Sequence, residues 1–218
     1  YGLHKDVLQD LLIYYSSSEE DMVTLKEYVG RMKEDQDKIY YACGETIDKI
    51  KMLPQTDMVK EKGFEVLYMT DQVDEFALQM LGQYDGKTFV NICGDSFDIS
   101  SEEEKEALKK VNDESADMLS KMRDAIDAGL AGVRFTNKLK NHPVCLTSEG
   151  ALSLEMEKTL NAMPMDEKVK AELVLEINEQ HPVAERLREI AASGDDEKLG
   201  KYAKLLYAQA RLIAGMSV

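Results

Sequence analysis

The strongest constraint on the fold is an alternation of strand-like and helix-like stretches over the first hundred residues. Short apolar runs rich in aromatic and aliphatic residues occur at 39–43, 64–69 and 88–92, and runs of this length are typical of buried strands. The stretches between them are long enough to form crossover helices. The alternation therefore predicts a small, largely parallel sheet with helices on both faces, an α/β/α arrangement that we place at residues 1–99.

Capping signals indicate where several helices begin. Thr24 and Glu27 have the spacing of a capping box, in which each side chain satisfies a free backbone amide of the other residue. Ser101 precedes three glutamates, whose negative charge is favourable at the positive end of a helix dipole, and predicts a helix that continues to about residue 128. Periodic apolar residues predict further helices at 6–15, 45–52 and 74–81.

Beyond residue 99 the pattern changes. Strand-like runs at 133–139 and 144–147, joined by Lys140-Asn141-His142-Pro143, resemble a β-hairpin. The remaining sequence is predicted to be helical at 152–163, 167–177, 183–192 and 197–214. Residues 100–218 are thus expected to form a second domain with a short sheet and a helical layer, and the whole chain belongs to the α+β class.

Charge and cysteine content limit the kinds of partner. The formal net charge is −15, which disfavours nucleic acid because phosphate binding requires clustered Lys and Arg. No apolar run approaches the ~20 residues of a membrane span, so we expect no membrane partner. Cys43, Cys93 and Cys145 are odd in number and form no CxxC pair, which predicts neither a metal site nor a disulfide framework and favours a reducing cytoplasm.

Two catalytic interpretations have weak support. The loop from Gly82 to Thr88 resembles a phosphate-binding loop, but it has one residue too few between its glycines and leads into a strand instead of a helix. A cysteine nucleophile on an α/β scaffold remains an alternative, with Cys145 and His142 close enough in sequence to form a pair. Because Cys145 lies in an apolar strand, an inert buried thiol is the commoner case.

Two apolar stripes carry more information. Leu152, Met156 and Leu160 recur at helical spacing, and such Leu/Met stripes either enter a core or form an adaptable binding surface. The final helix needs its own domain or a second copy as a partner, because its stripe is broad. Its members are Leu199, Tyr202, Leu205, Leu206, Gln209, Leu212 and Ile213.

Several blocks, in order along the whole chain, resemble the ninety-kilodalton heat-shock chaperone family and its bacterial branch. The first blocks are Val23-Thr24-Leu25-Lys26-Glu27-Tyr28-Val29-Gly30-Arg31-Met32-Lys33, Ile39-Tyr40-Tyr41, Lys62-Gly63-Phe64-Glu65-Val66-Leu67 and Asp74-Glu75-Phe76. Asn137-Lys138-Leu139, Pro143-Val144-Cys145-Leu146, Glu176-Ile177-Asn178 and His181-Pro182 continue the resemblance. Separate blocks in register are a stronger signal than any single motif.

The resemblance implies a molecular chaperone fragment that binds non-native client proteins and assists folding. Residues 1–99 would be the end of the middle domain, and residues 100–218 the C-terminal dimerisation domain without its last helix. ATP and Mg would be bound by an N-terminal domain that this chain does not contain, so no ATP hydrolysis is expected of it. A purely structural dimerisation adaptor is a further alternative.

The resemblance also assigns roles to particular residues. Glu75, Phe76 and Gln79 would lie on a client-contacting helix, although bacterial members often have a larger aromatic residue at the position of Phe76. Leu152, Met156 and Leu160 would line the cleft of a clamp. The apolar stripe of the final helix would contribute to a homodimer interface.

Overall fold

A computed structural model describes residues 5–164 and 168–216. The helices are α1 (Lys5–Leu8), α2 (Leu25–Arg31), α3 (Ile47–Lys51), α4 (Pro54–Glu61), α5 (Asp74–Leu81), α6 (Glu102–Glu114), α7 (Ala116–Ile126), α8 (Leu154–Ala162), α9 (Pro182–Ala192) and α10 (Asp196–Ile213). The strands are β1 (Ile13–Ser16), β2 (Met22–Thr24), β3 (Lys38–Cys43), β4 (Leu67–Met69), β5 (Gln83–Tyr84), β6 (Lys87–Asn91), β7 (Gly132–Thr136), β8 (Val144–Glu149) and β9 (Glu172–Asn178). The chain is therefore a mixture of helices and strands, compatible with the α+β class.

The first sheet has six strands in the order β2-β1-β4-β3-β6-β5. Strand β3 pairs in parallel with β4 and β6, as predicted, but β1 and β5 join the sheet in antiparallel pairs. The prediction of a largely parallel sheet is thus wrong at both edges. At one edge, residues 13–15 were predicted as the end of a helix but form β1 together with Ser16. Tyr14 and Ser16 are buried in the two-residue alternation of a strand.

Helices cover both faces of this sheet because neighbouring residues of its central strand point in opposite directions. Ile39 and Tyr41 pack against α2 and α5, whereas Tyr40 and Ala42 pack against α3 and α4. Helix α4 was missed in the sequence because Pro54 was interpreted as the end of α3. Pro54 instead occupies the first turn of α4, where its missing N–H costs nothing.

The second sheet has the order β7-β9-β8, with β9 parallel to β7 and antiparallel to β8. The predicted hairpin between 133–139 and 144–147 is therefore wrong, since β9 lies between the two strands. The predicted helix at 167–177 is also wrong, because residues 172–178 form β9, and residue 167 lies outside the described residues. Glu176 lies within this strand, where its carboxylate is buried and pairs with Arg134 at 2.6 Å.

The two helix starts predicted from capping signals are confirmed. Thr24 and Glu27 form a complete capping box at α2, and Ser101 forms another with Glu104 at α6. The single helix predicted from residue 102 to 128 is instead two helices, since the chain breaks at Ser115 between α6 and α7. The six strands of the first sheet end by residue 91 and those of the second begin at residue 132, while a domain boundary at residue 99 stays a prediction.

We predict that Tyr28→Phe lowers the free energy of unfolding by about 1–3 kcal/mol. The buried hydroxyl of Tyr28 donates to the carbonyl oxygen of Glu65 at 2.8 Å and accepts from the backbone N–H of Tyr40 at 3.0 Å. Its loss leaves these buried groups without a partner. Urea denaturation followed by circular dichroism measures the change. Tyr207→Phe on α10 is the control and should shift the midpoint little, because Tyr207 is only partly buried and contacts Arg211 through its ring.

A candidate binding surface at the junction of the two sheets

The two sheets are connected through the segment that follows β6. The backbone N–H of Ser148 on β8 donates to the carbonyl oxygen of Cys93 at 3.1 Å, and the N–H of Asp95 donates to the carbonyl oxygen of Ser148 at 3.0 Å. The side-chain amide of Gln55, from α4, donates to the carbonyl oxygen of Leu146 at 3.2 Å. These hydrogen bonds therefore help to fix the relative position of the two sheets.

Glu75 is the central polar group of this junction. Its buried carboxylate accepts hydrogen bonds from the hydroxyl of Tyr41 at 3.1 Å, the amide of Asn91 at 2.7 Å and the hydroxyl of Ser153. Ser153 is the N-cap residue of α8, so one carboxylate links α5, two strands of the first sheet and α8. Burial, with Glu75 beside it, raises the pKa of Tyr41, which keeps the phenol protonated as a donor.

The sequence-predicted client residues on α5 and α8 come together at this place. The amide of Gln79 donates to the carbonyl oxygen of Ala151 at 2.8 Å and approaches the sulfur of Met156 at 3.2 Å. Met156 is only 6% exposed, whereas Phe76 and Leu160 are partly buried. Glu75, Gln79 and Met156 thus hold the two helices together, and less of this set faces solvent than the sequence suggested.

Other apolar side chains on α5 do face solvent. Val73 and Met80 are 64% and 58% exposed, and partly buried Phe76 lies between them along the same side of the helix. We refer to Val73, Phe76 and Met80 as the α5 outer face. The spacing of three and four residues was the sequence signal that would have identified Val73 and Met80. Their exposure marks a surface that can bind an apolar partner.

The apolar stripe of α10 divides into two faces. Leu199 and Leu206 are buried in the core of the second sheet. Leu205 and Leu212 point outward at 66% and 65% exposure, and Gln209 is exposed between them, while Tyr202 and Ile213 are partly buried. Two of the seven predicted dimer residues are therefore buried in the chain's own core. Leu205, Gln209 and Leu212 form what we call the α10 outer face.

A groove runs past the carboxyl ends of β3 and β4, beneath α8. Two adjoining cavities of roughly 360 and 250 Å³ share Cys43 of β3 with Glu155 and Lys158 of α8. Met69 at the end of β4 and Leu212 near the end of α10 contribute to its walls. The mixture of apolar and charged side chains suits a peptide segment better than a purely apolar ligand.

The geometry counts against a cysteine nucleophile. Burial and nearby carboxylates raise the pKa of all three thiols, that of Cys93 to about 12, so the reactive thiolate is scarce at neutral pH. The sulfur of Cys145 lies 3.8 Å from a carboxylate oxygen of Glu176, and a neighbouring negative charge opposes deprotonation further. His142 contributes its backbone carbonyl oxygen to Asn178.

The loop from Gly82 to Thr88, which resembles a phosphate-binding loop in sequence, is the turn of a β-hairpin. Residues 83–84 and 87–91 pair as β5 and β6, and Asp85 and Gly86 have the positive φ values of a tight turn. The turn does not open a helix, so it lacks the aligned N–H groups that hold ATP phosphates. Over residues 5–164 and 168–216, no cluster of His, Cys, Asp and Glu is arranged to hold a metal ion. Within the same residues, no helix combines the length and apolar character of a bilayer crossing.

Comparison with known proteins gives one consistent result. A family described as "Hsp90 protein" matches residues 3–218. Relatives described as "Chaperone protein HtpG" match the whole chain at 49% identity in Clostridium botulinum (strain Langeland / NCTC 10281 / Type F), 48% in Clostridium acetobutylicum and 47% in Oceanobacillus iheyensis. The match covers 35%, 34% and 35% of their lengths. The chain thus spans about a third of the length of these relatives.

We predict that Glu75→Ala lowers the free energy of unfolding by about 1.5–3 kcal/mol, because it removes hydrogen bonds to a charged acceptor and leaves the groups of Tyr41 and Asn91 unpaired. Chemical denaturation measures the effect. Glu103→Ala is the matched control: Glu103 is exposed on α6, and its removal should change stability by less than about 0.5 kcal/mol. Equal effects of the two substitutions would contradict a central role for Glu75.

Proposed function

The chain belongs to the Hsp90 protein family, and on that premise we propose that it is the client-binding and dimerising part of a chaperone. Residues 1–99 would be the end of the middle domain, and residues 100–218 the C-terminal domain. Support comes from similarity to bacterial chaperone proteins over the whole chain and from two exposed apolar surfaces on separate helices. The same similarity supports a role in protein folding under heat stress and a cytoplasmic location.

The observation that carries the client-binding proposal is the α5 outer face beside the junction with α8. Non-native polypeptides expose apolar side chains, and an exposed apolar patch amid polar neighbours binds them through the hydrophobic effect. Met80 suits this role because an unbranched thioether adapts to differently shaped partners.

The six client residues inferred from the sequence then divide into two roles. Glu75 and Met156 are buried, so we assign them to holding α5 against α8. Gln79 is exposed, but its amide donates to Ala151, so it shares that role. Phe76 and Leu160 keep exposed atoms and are assigned to client contact, whereas Leu152 packs against the core of the second sheet. Replacement of Met156 would test packing of the junction, whereas replacement of the α5 outer face tests binding.

We propose that ATP use belongs to the regions of the relatives that this chain does not match. The family resemblance places ATP and Mg in an N-terminal domain, and the Gly82–Gly86 turn does not supply a phosphate cradle. We therefore propose that this chain alone holds clients without hydrolysing ATP. Assays of client binding accordingly need no nucleotide.

We predict that Val73→Ser combined with Met80→Ser weakens suppression of client aggregation several-fold while leaving the free energy of unfolding within about 1 kcal/mol, since both side chains are exposed. The assay is light scattering of a thermally denatured model enzyme with increasing amounts of chain. The matched control is Leu11→Ser with Met22→Ser, which removes a similar exposed apolar area away from α5 and α10.

Outcomes of this experiment distinguish the alternatives. Equal suppression by the wild type and the α5 variant would contradict client binding at the α5 outer face. A wild-type chain that dimerises but never suppresses aggregation would favour the structural adaptor. We expect all three thiols to react slowly with an alkylating reagent, because their pKa values are raised. That result would exclude the alternative of a cysteine-dependent enzyme.

We predict that the chain self-associates through the α10 outer face and that Leu205→Ser with Leu212→Ser shifts it to monomer. Leu205 and Leu212 lie two turns apart on the same face of the longest described helix. These two exposed leucines provide the apolar centre that a symmetric interface requires. Light scattering over a micromolar dilution series distinguishes the 24.6-kDa chain from its dimer. A wild type that stays monomeric at every concentration would show that α10 alone does not suffice for pairing.

A further inference from the structure

The second sheet has an outer edge at β7, whose one hydrogen-bonded neighbour among the described strands is β9. Along a strand, the backbone N–H and C=O groups of successive residues point alternately to its two sides. The carbonyl oxygen of Thr136 accepts from the N–H of Glu179, just beyond the end of β9, so the groups of Thr136 face β9. The groups of Phe135, and those of Val133 two residues earlier, therefore point to the outer edge.

One of these two outward positions has a partner within the chain. The side-chain oxygen of Asn112, on α6, accepts from the N–H of Phe135 at 2.8 Å, and the side-chain amide of Asn112 donates to the carbonyl oxygen of Phe135 at 3.1 Å. A neighbouring β-strand would satisfy the same two groups. The equivalent groups of Val133 form no hydrogen bond with any residue that the structure describes. The edge of β7 is thus closed at Phe135 and open at Val133.

A groove of about 460 Å³ lies along the open part of this edge. Residues 132–134 form one wall, and a stripe of α7 forms the other. Ala116, Ser120 and Arg123 recur along that stripe at helical spacing, and all three are exposed. We call the space between residues 132–134 and this stripe the β7 groove. A strand edge that faces a helix in this way resembles the sites at which extended peptides add a strand to a sheet.

The charges around the β7 groove favour an acidic partner. Lys109, Arg123 and Arg134 line it, against the carboxylate of Asp113. Arg134 is already neutralised by the buried Glu176, and Arg123 pairs with the exposed carboxylate that follows it in sequence. Lys109 is exposed and takes part in none of the ion pairs among the described residues. Two exposed cations therefore face this groove in a chain whose net charge is −15.

We propose that the β7 groove binds an extended, acidic peptide segment of another protein, which adds to β7 as a fourth strand of the second sheet. The backbone of the segment pairs with the N–H and C=O of Val133. Alternate side chains of an extended segment point to the same side, so glutamates at every second position meet Lys109 and Arg123. The site includes neither the α5 outer face nor the α10 outer face, and it is independent of the client binding and self-association proposed above.

Asn112 limits the length of the added strand. Its side chain already pairs with Phe135, so a bound segment ends its pairing with β7 at Val133. Few backbone hydrogen bonds are then formed, and attraction to Lys109 and Arg123 supplies a large share of the affinity. Salt screens the interactions of exposed charges. The affinity should accordingly fall as the ionic strength rises.

The test is a nuclear magnetic resonance titration of the isotope-labelled chain with an acetylated and amidated hexapeptide in which glutamate and valine alternate. The amide resonances of Val133 and Ala116 should shift along one saturation curve. At saturation, the amide of Val133 should exchange with deuterium several-fold more slowly than in the free chain, because the peptide accepts its hydrogen bond. A hexapeptide with lysine in place of glutamate should bind about ten-fold more weakly.

Two changes separate backbone pairing from charge attraction. A glutamate–valine peptide with N-methylated central residues keeps every charge but loses backbone donors, and it should bind several-fold more weakly. Lys109→Glu with Arg123→Glu should weaken binding of the unmodified peptide by about ten-fold. Lys60→Glu with Lys204→Glu is the matched control, since it makes the same change in net charge at exposed positions outside the β7 groove and should leave the affinity unchanged.

Three results would overturn the proposal. One is equal affinity for the unmodified and the N-methylated peptide, which would show that no strand is added. Another is the absence of a shift at Val133 up to the solubility limit of the peptide. The third is protection of the Val133 amide that grows with chain concentration before any peptide is added, which would assign the edge to a second copy of this chain. The N-methylated peptide leaves the protein unaltered, so this comparison holds even where a variant unfolds.

Discussion

The arrangement of the whole chain depends most on the hydrogen bonds that the buried carboxylate of Glu75 accepts. The donors of these hydrogen bonds lie on β3, at the end of β6 and at the N-cap of α8, so the carboxylate joins elements that lie far apart in sequence. A buried carboxylate is costly unless it is fully hydrogen-bonded, and here three side chains meet that demand. The α5 outer face owes its position to this anchor, because the opposite side of the same helix is fixed against the sheet and α8.

Local signals in the sequence were sufficient for much of the fold. The capping boxes at Thr24 and Ser101 involve residues only three positions apart, and the apolar run of β3 identifies itself by composition. Elements that depend on distant partners were harder to predict. Strand β9 is a strand because β7 and β8 flank it, and Glu176 is tolerated inside it only because Arg134 reaches it from another strand.

The burial of the candidate surfaces also depended on partners that are distant in sequence. Periodicity identified which residues of α5, α8 and α10 share a helical face, but it did not indicate which face meets the core. Glu75 and Met156 were expected at a surface and lie in the junction, whereas the α10 stripe divides between core and solvent. Burial is a property of the assembled elements, and a helix with two apolar sides does not reveal which one its neighbours will cover.

The position of β9 also governs the order in which the chain can fold during its synthesis. Every strand of the first sheet has been made once residue 91 has emerged, so its pairs can form before the second sheet is complete. The second sheet must wait, because β7 and β8 have no common partner until residue 178 has left the ribosome. During that interval two apolar strands have open edges, so the nascent chain passes through a stage in which it is itself prone to misassociation.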